Sequence, residues 1–170
     1  MLRLIPLSLD NVQKQYEYIS AVPEDENSFA NAYYGAPREN FESVLQNLID
    51  HSSGKSLPEG YVPETHYLLW DGDDIVGWFR LRHHLCPSLV EGAGHIGYSI
   101  REGCRGNGYA TEGLRQLIEK AAHIIPEDEI DLRVDKDNPA SLRVMLKNGG
   151  YIHHEDGSKI YVRIDKRKAL

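Results

Sequence analysis

The stretch from Ser99 to Leu114, SIREGCRGNGYATEGL, sets four glycines among charged residues, between an apolar strand-like run and an amphipathic one. A chain with such a turn must pass directly from a strand into a helix through backbone that accepts few side chains. At a helix start the first N–H groups have no intrahelical acceptor and the dipole is positive, so glycines there let a phosphate come close. Arg105 adds a donor able to grip a phosphate through two N–H groups. Glycines alone would equally serve a sharp turn, for which one is enough. Two familiar phosphate loops are excluded by spacing. No Lys stands where GxxxxGK[ST] needs it, and GxGxxG fails at Thr111, although Asp131 and Asp135 lie at roughly the distance of a ribose-binding acid.

With 170 residues, 41% of them hydrophobic, the chain is the right size for one domain with a real core. A net charge of -7 argues against a nucleic-acid surface, which needs clustered cations. No apolar run is long enough to cross a bilayer, so the sequence reads as cytoplasmic, with no membrane partner. Cys86 and Cys104 are too few for a disulfide framework and lack zinc spacing.

Residues 2–7 alternate like a strand. Val12, Tyr16 and Ile19 then mark a helix face, with Asp10 or Asn11 available as its cap. An acidic and then aromatic segment (residues 23–37) precedes a second helical face of Phe41, Val44, Leu45 and Leu48, and residues 1–64 together suggest a strand plus a helical lid. From residue 65 the rhythm is firmer. Strands at 65–70 and 74–84 flank an Asp-Gly turn, residues 95–100 form a further strand, and Leu114, Leu117, Ile118, Ala121 and Ile125 mark a helix ended by Pro126. Residues 129–135 alternate as a strand. Asn138 and Pro139 open a helix over 140–148 that Gly149 closes, and residues 151–164 read as a hairpin around Asp156-Gly157. The expectation is an α/β domain with a mixed central sheet flanked by helices.

Arg105-x-x-Gly108-x-Ala110, after a strand and opening a helix, resembles the pyrophosphate signature Q/R-x-x-G-x-G/A of the GNAT superfamily of N-acetyltransferases. NPASLRVMLKNGGY (residues 138–151) is similar to the next motif of that superfamily, and the two in this order are far more specific than either. The resemblance spans about residues 65–155. It implies one GNAT-like domain over 1–170: an acceptor-side part at 1–64, an acetyl-CoA-binding core at 65–155 and a C-terminal strand and tail at 156–170. It also implies acetyl-CoA as co-substrate, no metal, an amine acceptor and a homodimer. The end of the fourth strand, Ser99 and Ile100, would pair with the pantetheine arm. Arg105, Gly106, Asn107, Gly108, Tyr109, Ala110 and Thr111 would wrap the pyrophosphate, and Asn138 and Ser141 would reach the thioester region; Asn138 also suits an ordinary helix cap.

Acetyl transfer to an amine needs a base, an oxyanion hole and an acid for the leaving thiolate. His95 is the leading base candidate on its unperturbed pKa of about 6.5, with Glu91 second and a structural hydrogen-bonding role for His95 equally open. The sequence departs from the family at the acid, because Met145 stands where many members carry Tyr. Tyr98, Tyr109 or Tyr151 would then substitute, or solvent would protonate the thiolate. A non-catalytic acyl-CoA sensor is the alternative that Met145 favours. His83-His84 and His153-His154 read as strand residues on opposite faces rather than chelators. Tyr33 and Tyr34 are candidates for the acceptor pocket, and Glu24, Asp25 and Glu26 read as a solvated charge run.

Overall fold

The computed structural model describes residues 1–169. The chain runs through β1 (Leu2–Pro6), α1 (Val12–Ile19), a minimal hairpin of β2 (Asp25–Glu26) and β3 (Phe29–Ala30), and α2 (Phe41–Ser52). Next come β4 (Glu64–Asp71), β5 (Asp74–Arg82), the single turn α3 (Pro87–Val90) and β6 (Ile96–Ile100). The remainder is α4 (Tyr109–Ile124), β7 (Glu129–Asp135), α5 (Pro139–Lys147), β8 (Tyr151–Glu155) and β9 (Lys159–Asp165). Apart from the short hairpin and α3, these elements lie where the periodicity places them, to within a few residues at their ends. Asn11 occupies the start of α1 in a left-handed conformation, but its side chain makes no capping bond. At α5, Asn138 Oδ1 does accept the Ser141 N–H (3.2 Å), and Gly149 follows with φ +84°.

The expected α/β architecture is present, with helices on both faces of a central sheet. Its ladders differ from those of the mixed sheet expected, since every one among the described residues is antiparallel. One part has the order β1-β4-β5-β6 and the other β7-β9-β8, so β6 and β7 each end a ladder and face one another. They touch at an apex, where Gly94 bridges Leu132 and the His95 N–H donates to the Asp131 carbonyl (2.8 Å). A Cβ on Gly94 would lie 2.3 Å from that same carbonyl oxygen, so only glycine permits the approach. Beyond the apex the strands diverge and leave two unpaired edges, which is the feature that positions the site.

Alternation along the strands divides the core into two clusters. Phe79, Leu81, Ile96, Ile100, Leu132 and Val134 pack with Leu114, Leu117, Ile118 and Ala121 of α4. Leu68, Trp70 and Trp78 pack on the opposite face with Ile19, Phe41 and Leu45 from α1 and α2. These N-terminal helices are therefore bound to a sheet face rather than forming a lid. Gly113 lets α4 settle on the sheet, since a Cβ there would lie 2.3 Å from the Phe79 ring.

Candidate active site

The gap between the β6 and β7 edges opens into a cleft of about 740 Å³. Gly97 to Ile100 form one wall and Arg133 to Asp135 the other, with the α4 and α5 starts on one face of the sheet and residues 26–30 on the other. Two facing strand edges with spare backbone groups suit an extended ligand that completes the sheet.

At the C-terminal end of β6 the glycine turn has the conformation that its composition implies. Gly106 and Gly108 have φ of +81° and +79°, and a Cβ on either would meet nothing within 4 Å. Their need is for a left-handed backbone and for open space, not for close packing. Among the described residues, the N–H groups from Gly106 to Thr111 donate to no protein acceptor, which leaves a cluster of donors at the start of a sixteen-residue helix. Arg143 and Lys147 of α5 line the same end, and Asn148 ties α5 to this turn by donating to the Thr111 carbonyl (3.2 Å). Asn107 does not line the cleft; its amide closes the turn on the Cys104 carbonyl (3.1 Å).

Arg105 lines the cleft but is engaged elsewhere. Its Nη2 donates to Glu26 Oε1 (2.6 Å) and its Nε to the Ile100 carbonyl (3.1 Å), while Ser99 Oγ lies 3.4 Å from Glu26 Oε2. Glu26 is thus an ion-pair partner inside the cleft, not part of a solvated run. Its hairpin spans the gap: Ser28 Oγ donates to Asp135 Oδ2 (2.9 Å), and Lys159 is hydrogen-bonded to both Ser28 and Asp135.

On the α4 face, Tyr98 stacks on Phe79 with ring centroids 5.5 Å apart. The Tyr98 hydroxyl lies 2.6 Å from Ser141 Oγ and 3.2 Å from the Ser141 carbonyl. Burial pushes its pKa up to about 12, so it holds its proton at neutral pH. Met145 is buried beside this pair and lines the cleft. Tyr109 also lines the cleft, with its hydroxyl donating to Asp71 (2.7 Å). Tyr151 lies outside the cleft and donates to Glu129 (2.6 Å). Tyr98 is therefore the tyrosine brought together with Asn138 and Ser141.

The expected base is corrected by the geometry. His95 is fully buried and outside the cleft. Its Nδ1 accepts the Asp131 N–H (2.9 Å), which leaves the proton on Nε2 to donate to Glu127 (3.1 Å). Burial lowers its pKa, and the ring serves as a neutral clamp for the apex. Glu91 is exposed at the end of α3, also outside the cleft. The two carboxylates that do line the cleft, Glu26 and Asp135, are paired with Arg105 and Lys159. Tyr33 and Tyr34 do not reach it.

Several cleft residues escape sequence reasoning. Arg80, Arg82 and Arg133 line its hairpin side; the two-residue spacing of Arg80 and Arg82 puts that pair on one face of β5, but nothing local in the sequence joins Arg133 to them. Gly94, at the apex, gave no local signal, because its constraint comes from Asp131. Among the described residues, no group of three or more His, Cys, Asp or Glu side chains is arranged to hold a metal ion, and no helix is long and apolar enough to cross a membrane.

A family model described as acetyltransferase (GNAT) domain matches residues 2–150. No curated protein matches the sequence. Among solved structures, the chain resembles RimL, a ribosomal L7/L12 α-N-protein acetyltransferase in complex with coenzyme A, with 18% identity, TM-score 0.68 and coverage of 97% of this chain and 94% of that one. A chimera of the spermidine N-acetyltransferase SpeG from Vibrio cholerae and hSSAT matches with 13% identity and TM-score 0.64, over 99% of this chain and 98% of the other. PseH, an N-acetyltransferase from Campylobacter jejuni in complex with acetyl coenzyme A, matches with 14% identity and TM-score 0.57, over 97% and 99%. At these identities the likeness is one of fold.

Proposed function

This chain belongs to the GNAT acetyltransferase family, and on that premise we propose that it transfers the acetyl group of acetyl-CoA to a primary amine by direct attack in a ternary complex. The pyrophosphate lies on the free N–H groups between Gly106 and Thr111, with Arg105 released from Glu26 to join it. The pantetheine arm runs along the unpaired edge of β6 at Ser99 and Ile100, which brings the thioester into the gap. The acceptor enters from the hairpin face. Backbone N–H groups of β6 stabilise the oxyanion, and the departing thiolate takes a proton from the Tyr98 hydroxyl, which Ser141 holds in place. No unpaired carboxylate or imidazole lines the cleft among the described residues, so the amine loses its proton to water.

The observation that carries this reading is the Tyr98–Ser141 hydroxyl pair, a proton donor placed in the cleft where Met145 supplies none. A cytoplasmic location and a homodimer belong to the same proposal; the first is supported by a sequence with no bilayer-length apolar run, the second by the family resemblance alone. The test is calorimetric titration of acetyl-CoA into the native protein and into Gly108→Glu, followed by CoA release with a panel of amines. Micromolar binding that the variant loses by about a hundredfold or more, with release above the hydrolytic background, is the expected result. Equal binding by both proteins would remove the pyrophosphate assignment. Binding with no turnover would favour an acyl-CoA sensor.

A further inference from the structure

Three arginines, Arg80 and Arg82 on β5 and Arg133 on β7, share the cleft side opposite α4, because they alternate with Phe79, Leu81, Leu132 and Val134, which pack in the α4-side core. This is an unusual concentration of like charge in a chain with net charge -7. Among the described residues, no carboxylate lies within 4 Å of Arg80 or Arg133, and Arg82 has only Glu64 at 3.7 Å, a carboxylate it shares with His66 at 2.8 Å. The carboxylates of the cleft do not neutralise the cluster, since Glu26 is held by Arg105 and Asp135 by Lys159.

Arg80 is built in rather than loosely exposed. Its guanidinium carbon lies 4.2 Å from the Phe29 ring centroid and 4.9 Å from that of Trp78, and Nη2 donates to the Ala30 carbonyl. Its buried Nε has no hydrogen-bond partner, a costly state that a rotation of the guanidinium toward a bound acceptor atom would relieve. The phosphates of acetyl-CoA are poorly placed to do so. Arg80 pairs with Gly97, three residues before Ile100 on β6, and the Arg82 N–H donates to the His95 carbonyl further still from the glycine turn. That separates the cluster from the turn by about 10 Å of strand.

We propose that the acceptor is an amine that also carries an oxyanion group, a carboxylate or a phosphate, which Arg80, Arg82 and Arg133 bind while the amine points into the gap. Planar guanidinium forks match either group through paired N–H donors, and a polycationic amine would be repelled from the same surface. This inference rests on the acetyl-transfer reading.

The test uses matched amines at saturating acetyl-CoA: L-leucine against L-leucinamide, O-phosphoethanolamine against ethanolamine, and spermidine. In at least one pair the anionic member should show kcat/KM about tenfold above its uncharged counterpart, and the identity of that pair distinguishes carboxylate from phosphate. Arg133→Gln and Arg82→Gln should each raise KM for that amine about fivefold while leaving the uncharged partner and acetyl-CoA affinity within about twofold. Equal kcat/KM within both pairs, a preference for spermidine, or a preference that both variants retain would overturn the proposal. If acetyl-CoA binds but no amine turns over, calorimetry of the two anionic probes on CoA-loaded protein decides: heat lost in Arg133→Gln supports it, and no heat ends it. Failure to bind acetyl-CoA would instead remove the acetyltransferase reading and this inference with it. Turnover of uncharged amines alone removes only this inference.

Discussion

The two ends of the cleft are made of different material. At the C-terminal end of β6 the binding groups are backbone: Gly106 and Gly108 at positive φ, and N–H donors contributed by consecutive residues. At the other end they are side chains, drawn from β5, β7 and the hairpin of residues 25–30. The first end is local in sequence, and a motif can describe it. Contributors to the second are separated by tens of residues and are joined only by the sheet. It follows that the glycine end constrains the backbone and its glycines, whereas the arginine end can be altered by single side-chain changes with the fold kept.

Gly113→Val tests the contrast most severely, because this glycine lies within the motif region yet serves packing. Its branched side chain would collide with Phe79, and denaturant unfolding should show a loss of about 3 kcal/mol. By contrast, Gly108→Ala meets open space and should cost only about 1–2 kcal/mol for its left-handed backbone. Equal losses for the two would erase the distinction between packing and turn glycines.

Tyr98→Phe removes the hydroxyl bonded to Ser141 and should lower kcat about a hundredfold, with acetyl-CoA affinity little changed. Steady-state kinetics alongside calorimetry check this, and an unaltered kcat would return thiolate protonation to solvent.

His95 and His66 sharpen the comparison through pH. Burial lowers both pKa values in the folded protein, although Glu127 and Glu64 act to raise them. In the pH range near the unperturbed value of about 6.5 the unfolded chain therefore holds more protons, so stability is complete above that range and declines as pH falls through it. Thermal midpoints should drop by a few degrees between pH 7.5 and 5.5. His95→Gln should lower stability without moving the pH dependence of kcat/KM, which rises toward alkaline pH as the acceptor amine loses its proton. A kinetic limb that disappears in His95→Gln would restore this histidine as the base.

The smallest expected effect is at Glu26. Glu26→Gln frees Arg105 from a partly exposed ion pair, and acetyl-CoA affinity measured by calorimetry should tighten about threefold. Weaker binding would mean that Glu26 orders the turn rather than competing for its arginine.

The elements from β4 to β9 were legible because period-2 and period-3.6 patterns, Asp-Gly turns and the Asn138-Pro139 helix start are written locally. The hairpin of residues 25–30 was not, since two-residue strands carry no period and Phe29 acquires its place from Trp78, 5.2 Å away between ring centroids. The surroundings of His95 were not legible for a related reason. A histidine in a strand is chemically plausible as a base, but whether it faces solvent or a partner depends on Glu127 and Asp131, more than thirty residues further on.

What the sequence by itself determined is everything that follows from neighbouring residues: the strand-to-helix turn, its spare donors and left-handed glycines, the cap of α5, and through them the family. Only the tertiary structure decided which side chains meet. It placed Glu26 on Arg105, locked His95 at the apex, set Tyr98 against Ser141 and gathered three arginines on one face of the gap. Backbone conformation is governed by short-range sterics and hydrogen bonding, whereas these encounters are fixed by strand register and sheet divergence, which no short window of sequence contains.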